Sequence, residues 1–326
     1  LTEVIYNGKF LTLNVFHVKF STDRSFRFAD TENTVVTDSY YRNDVFSVLG
    51  YRKITRRLPF QTGKRGLYGI PSLNMTARDF FMTTNFAYSR KSDAWLYVLP
   101  KRVASPELSM FCSHLLGELE TRRNQMEDPY TFRGIREYTY GDTYGKINWK
   151  ATAKASKLMV NMYGYTSEQR VRILLNLETN IMVKTEYLQE MSIRMAGTIA
   201  EYFLQHKVSV ELVSNGIDCM TGACERVEAG MSMEHGETID KYLARIKENA
   251  GIDAFMQMVD TEIQQMEEPI TYVIISPYYK EDLLLKLDYM HKKHPELHMV
   301  VPYYDIQDKT GWRGYMQGVE VKWNEI

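Results

Sequence analysis

Cysteine is scarce: Cys112 stands alone, and Cys219 and Cys224 form an isolated C-x4-C pair. Three cysteines in 326 residues exclude a disulfide framework, and a reducing compartment is expected. No apolar stretch approaches the roughly 18 residues that a membrane-spanning helix needs, and no secretory leader is visible. Neither charge dominates. Forty basic residues meet 41 acidic ones, a net charge of -1, so no chain-wide polycation is present to hold nucleic acid or anionic lipid. There is no P-loop, no G-x-G-x-x-G, no G-x-S-x-G and no paired carboxylates on one strand. No catalytic constellation is recognised, and the chain is expected to be non-enzymatic.

What is present is enough apolar material for two ordinary domains. Hydrophobic residues are 44% and charged residues 25%, the usual balance of a globular protein. Residues 1–103 read as an all-β, Ig-like sandwich, because short β-branched or aromatic runs are separated by turn residues. Strands are expected at 34–36, 46–49 and 95–99. Leu11, Leu13 and Val15 alternate on one face, then Phe16, Val18 and Phe20 on the other, which predicts a bulge where the phase switches.

From 105 to about 123 the spacing of Leu108, Phe111, Cys112, Leu115, Leu116 and Leu119 predicts a helix. Residues 104–168 are then a helical linker and a polar, aromatic segment. From 169 to 326 strand and helix patterns alternate, which predicts an α/β domain with a mostly parallel, Rossmann-type sheet. Its strands are expected at 171–175, 208–213, 270–275 and 297–301, with a last edge at 319–323. Ligands of such sheets gather at the carboxyl ends of the strands.

The stretch 132–163 is the densest in chemistry. Between Arg133 and Lys157 it holds Arg133, Arg136, Lys146, Lys150, Lys154 and Lys157 against Glu137 and Asp142, interleaved with Tyr138, Tyr140, Tyr144 and Trp149. Two readings stand. One is an interdomain clamp, with Arg136 on a carboxylate, Tyr138 and Trp149 buried, and Gly134 and Gly141 at tight turns. The other is a phosphate or nucleic-acid binder. The clamp is preferred, and no nucleic acid is expected as a partner. Asn148 is placed to cap a short helix reaching Lys154, with Trp149 as its buried anchor and Lys150 on the wet face. His291, His294 and His298 carry zinc-like spacing, but Pro295 interrupts them and a solvated helix end is the better reading. Cys219 and Cys224 are expected in a turn. The 18 methionines suit core filling or an adaptable docking face.

Segment 132–163 resembles the signature of the bacterial "domain of unknown function 58" family. So does Lys64-Arg65-Gly66-Leu67-Tyr68-Gly69-Ile70-Pro71, followed by Arg78-Asp79-Phe80-Phe81 and Tyr97-Val98-Leu99-Pro100. That family joins a β-sandwich to a von Willebrand factor A-like domain. The resemblance implies a non-enzymatic interaction module, an adaptor or scaffold working with a MoxR-type AAA+ ATPase. It also implies the cytoplasmic face of a bacterial membrane, reached through transmembrane segments upstream of Leu1. The signature residues are then Arg136, Tyr138, Gly141, Asp142, Asn148, Trp149 and Lys150.

Von Willebrand A-like domains hold a divalent cation on Asp-x-Ser-x-Ser after the first strand. Here the matching positions read Asn176-Leu177-Glu178-Thr179-Asn180. A later strand ends in Ser276, and Thr238 stands in for a third loop. A charged carboxylate is replaced by a neutral amide, so Asn176, Glu178, Asn180 and Ser276 read as a degenerate metal site without cofactor. The expected role of the loop is to cap the following helix. A metal-dependent ligand binder built on Asn176, Glu178 and Asn180 is the alternative.

Overall fold

The computed structural model describes the chain apart from residues 80, 82, 126, 166–168, 179–184, 248–253, 266–269, 304–310 and 321–326. It is mixed α/β and divides into two compact units, Leu1–Pro100 and Lys101–Ile326. Among the described residues no helix is long and apolar enough to cross a membrane.

The first unit is built from strands: β1 (Thr2–Tyr6), β2 (Leu13–Asp23), β3 (Phe26–Phe28), β4 (Thr34–Val36), β5 (Ser39–Val48), β6 (Lys53–Arg57), β7 (Phe60–Thr62), β8 (Gly66–Arg78) and β9 (Asn85–Val98). Five form an antiparallel sheet in the order β4-β5-β2-β8-β9, and β1-β6 and β3-β7 form two small pairs. The β2–β5 register slips between Leu13 and Phe16, where the alternation of the sequence changes phase. Inward side chains Phe20, Phe26, Phe28, Tyr40 and Leu58 make one core cluster. Burial alternates along β5, so Arg42 and Asp44 face inward among apolar neighbours. Arg42 reaches Asp44 and Asp30, and Arg56 on β6 reaches the same two carboxylates. Two cations and two anions close a neutral box, the form in which buried charge is tolerated.

The second unit runs α1 (Pro106–Gln125), β10 (Glu127–Glu137), α2 (Trp149–Ala155), β11 (Met159–Tyr165), β12 (Arg170–Leu175), α3 (Thr185–Gln205), β13 (Ser209–Ser214), β14 (Ile217–Asp218), β15 (Arg226–Gly230), α4 (Met233–Arg245), β16 (Ile246–Lys247), α5 (Ala254–Gln264), β17 (Ile270–Ile275), α6 (Glu281–Lys293), β18 (Leu297–Tyr303) and β19 (Met316–Glu320). Six strands form one sheet, β15-β13-β12-β17-β18-β19. All neighbours are parallel except β15, which runs antiparallel on β13.

Successive strand residues point to opposite faces, and each face has its own cover. Val171, Ile173 and Leu175 pack with α1, α3 and α4. Leu174, Tyr272 and Ile274 pack with α5 and α6. Helix α1 belongs to this core through Leu108, Cys112, Leu115 and Leu119. It lies within the second unit, so the first part of 104–168 is core and not linker. The last strand begins at Met316, three residues before the expected edge at 319–323, and residues 321–326 lie outside the described residues.

The first residues of this unit are strapped to its helices. Arg102 pairs with both oxygens of Asp240 at 2.8 and 2.7 Å and also with Glu201. Arg194 donates to the Lys101 carbonyl and the Val103 amide donates to Thr198 Oγ1, both at 2.9 Å. Gly197 makes room for this strap, since a Cβ there would lie 2.6 Å from an Arg102 nitrogen.

Candidate functional site

The segment 132–163 forms an antiparallel pair, β10 with β11, whose register slips between Phe132 and Gly134. Gly134 therefore sits beside a strand irregularity, not at a tight turn. The connection between the strands is folded on itself by one ion pair. Arg136 grips Asp142 with both ends of its guanidinium, at 2.7 and 2.6 Å. Its Nη1 also reaches Thr139 Oγ1 at 3.0 Å, and Asp142 accepts from the Thr139 amide at 2.8 Å. The fork of Arg136 and these donors hold the Asp142 carboxyl well below the usual carboxylate range. Gly141 has φ +114°, a region that a side chain disfavours, and this turn brings Asp142 back to Arg136.

The helix follows from local chemistry. Asn148 is the N-cap of α2 and its Oδ1 accepts from the Ala151 amide at 2.9 Å. Its backbone amide donates to Met159 and its Nδ2 donates to Asn161, both at 2.8 Å. The residue buried at this junction is Ile147, which bridges to the buried Val160 of β11. Trp149 is 68% exposed, which corrects the expectation of a buried anchor. It is the first helical residue, and the apolar slot under the helix entrance is already filled by its neighbour but one. Tyr140 and Tyr144 are exposed as well. Tyr138 is half-buried and stacks on Tyr144, centroids 6.3 Å apart. Lys150 and Lys154 are exposed on α2, and Lys157 pairs with Glu137 at 3.0 Å.

The second candidate region lies at the carboxyl ends of β12, β13 and β17. Asn176 is completely buried. Its Nδ2 donates to Ser276 Oγ at 2.9 Å, and its Oδ1 accepts from Asn215 Nδ2 at 3.0 Å and from the Glu178 amide at 2.9 Å. Asn215 Oδ1 accepts from the Leu177 amide at 2.8 Å. Ser276 Oγ donates in turn to the Tyr278 carbonyl at 2.6 Å. The strand ends are thus joined by direct amide and hydroxyl contacts. A cation needs oxygens aimed at it, whereas Asn176 aims an N–H at Ser276 and both acceptor directions of its oxygen are used. Among the described residues, Asn176 and Ser276 do not fit a divalent metal, and no group of three or more acidic, histidine or cysteine side chains could hold one.

Glu178 accepts from the Phe255 amide at 2.9 Å. It therefore caps α5, where a carboxylate at a helix N-terminus is favoured by the unpaired amides; the loop residues 179–184 that lead into α3, the helix the sequence reading expected to be capped, lie outside the described residues. Asn180 lies outside the described residues. Thr238 is inside α4, where its hydroxyl bonds the Glu234 carbonyl, so it offers no third loop.

Nor do the histidines form a metal-holding group among the described residues. His294 caps α6 and is buried against Tyr272, ring centroids 5.7 Å apart. This corrects the expectation of a solvated terminus, because Tyr272 on β17 draws the ring inward. His291 rests on Tyr315, and His298 lies 3.4 Å from Glu118. Cys219 and Cys224 are exposed thiols outside any disulfide, beside the short β14 strand, and Cys224 Sγ donates to the Asn215 carbonyl at 3.3 Å; Cys112 is buried in the core.

Asn215 and Arg172 escaped sequence reasoning. Asn215 joins Asn176 from 39 residues away, and its one signal was an Asn-Gly pair ending an apolar strand. Arg172, inside an apolar strand, joins Glu211 at 2.8 Å and Glu262 at 2.5 Å, and Arg226 closes the box on the same two carboxylates. Among known proteins no family model matches this chain and no curated protein does.

Proposed function

We propose that this chain is a non-enzymatic interaction module of the "domain of unknown function 58" kind, with an Ig-like sandwich followed by a von Willebrand A-like unit. Its partner is a MoxR-type AAA+ ATPase, met at the cytoplasmic face of a bacterial membrane to which an upstream segment tethers the chain. The supporting observation is the braced connection between β10 and β11. Arg136 and Asp142 fix a loop that leaves Tyr140, Tyr144 and Trp149 open to solvent. Exposed aromatics on an ordered loop are the side chains that carry binding energy at protein interfaces.

The closed polar cluster around Asn176 favours recognition by shape over metal-dependent binding. The test is co-purification of the full chain with the AAA+ ATPase, with ATP analogue and with ADP. Capture in at least one nucleotide state is expected, and Trp149→Ala should weaken it about tenfold or more. Failure to bind in both states overturns the reading.

A further inference from the structure

The binding face on α2 carries a charge as well as an aromatic ring. Trp149 and Ala153 are one helical turn apart, as are Lys150 and Lys154, so the four residues make one contiguous exposed surface. No acidic residue lies on α2. The nearest acids of the segment are already engaged, Asp142 by Arg136 and Glu137 by Lys157. The surface is therefore an indole with two ammonium groups to one side of it, on a chain whose net charge is -1. Two lysines are too few to track a polyphosphate backbone, whose affinity grows with each phosphate neutralised. They do match a short segment with an apolar side chain beside carboxylates, since indole faces take apolar groups and complementary charge sets register.

We propose that Trp149, Lys150 and Lys154 bind an acidic segment of a partner protein, with an apolar side chain of that segment on the indole and its carboxylates on the two lysines. This rests on the interaction reading above and adds the chemistry of the partner.

The probe is a labelled synthetic peptide with a central phenylalanine flanked by glutamates, titrated against the full chain. Its lysine-flanked counterpart, a single-stranded oligonucleotide and phosphatidylglycerol vesicles serve as the other arms. The glutamate peptide should bind, and added salt should weaken it. The double variant K150E/K154E should weaken it about tenfold or more, and so should Trp149→Ala. All three side chains are solvent-facing, so both variants should unfold at the wild-type midpoint, which separates lost binding from lost folding.

No binding of the glutamate peptide, or binding that ignores these substitutions, overturns the proposal. So does equal or tighter binding of the oligonucleotide or the vesicles. The ATPase assay fails separately. Capture of the ATPase by K150E/K154E as well as by wild type removes this face but leaves the interaction reading. Peptide binding at these residues without ATPase capture supports the face and removes that partner.

Discussion

Two of the arginine–carboxylate braces in the second unit have opposite surroundings. Arg172 is buried beneath α5, and its partners Glu211 and Glu262 are each 3% exposed. Arg136 is substantially exposed and its partner Asp142 lies in a surface loop. In the interior a charge without a partner costs far more than it does at the surface, so the first brace holds the fold together. At the surface water competes for both groups and the energy gained is small. What the second brace sets is the shape of a loop, and with it the presentation of Tyr140, Tyr144 and Trp149. Burial separates a structural role from the recognition role proposed above for the same pair of chemical groups.

Breaking the buried brace should have the largest effect. Glu262→Ala leaves Arg172 short of a carboxylate in the interior, and a loss of about 3–5 kcal/mol is expected in urea unfolding. A loss below about 1 kcal/mol would mean that water reaches the box.

Next is the polar cluster at the strand ends. Asn176→Ala removes the partners of Ser276, Asn215 and the Glu178 amide at once, and about 2–4 kcal/mol should be lost. Millimolar magnesium, manganese or calcium should neither restore that stability nor give heat with the wild-type chain. A metal-dependent rise in the wild-type unfolding midpoint would contradict the donor geometry described above.

The surface brace should respond least in stability and most in local order. Arg136→Ala should leave the unfolding midpoint nearly unchanged while speeding backbone exchange across 138–142. The pH dependence follows from the sign of the shift. Asp142 titrates lower in the folded chain than in the unfolded one. Its contribution is then complete above the ordinary aspartate range, falls as pH drops through that range, and is gone once acid passes the depressed folded value. Trp149 fluorescence should be flat from neutral pH down to that range in the wild type. A transition near neutral pH would show that the brace does not control the loop.

The contrast also marks where sequence reasoning succeeds. Periodicity places α1 and the parallel strands because each needs only the spacing of its own apolar residues. The change of phase at Leu13 and Phe16 exposes the bulge, and Asn148 announces its own helix. Orientation within a turn is harder to read. Trp149 and Ile147 are both apolar and flank the same cap, and only the position of β11 decides which is covered. Long-range polar pairing is harder still. Asn215 and Glu262 look like ordinary surface residues until the sheet order brings them beside Asn176 and Arg172. The loop at Asn176 was readable as altered chemistry, but its hold on α5 through Glu178 depended on a helix far along the chain.

Hydrogen exchange of the full chain, with and without the AAA+ ATPase, tests the central claim most directly. The account predicts that protection on complex formation gathers at 138–157 and leaves the strand-end cluster at 176–178 and 215–216 unchanged. Protection at the strand ends with 138–157 unaltered would contradict it.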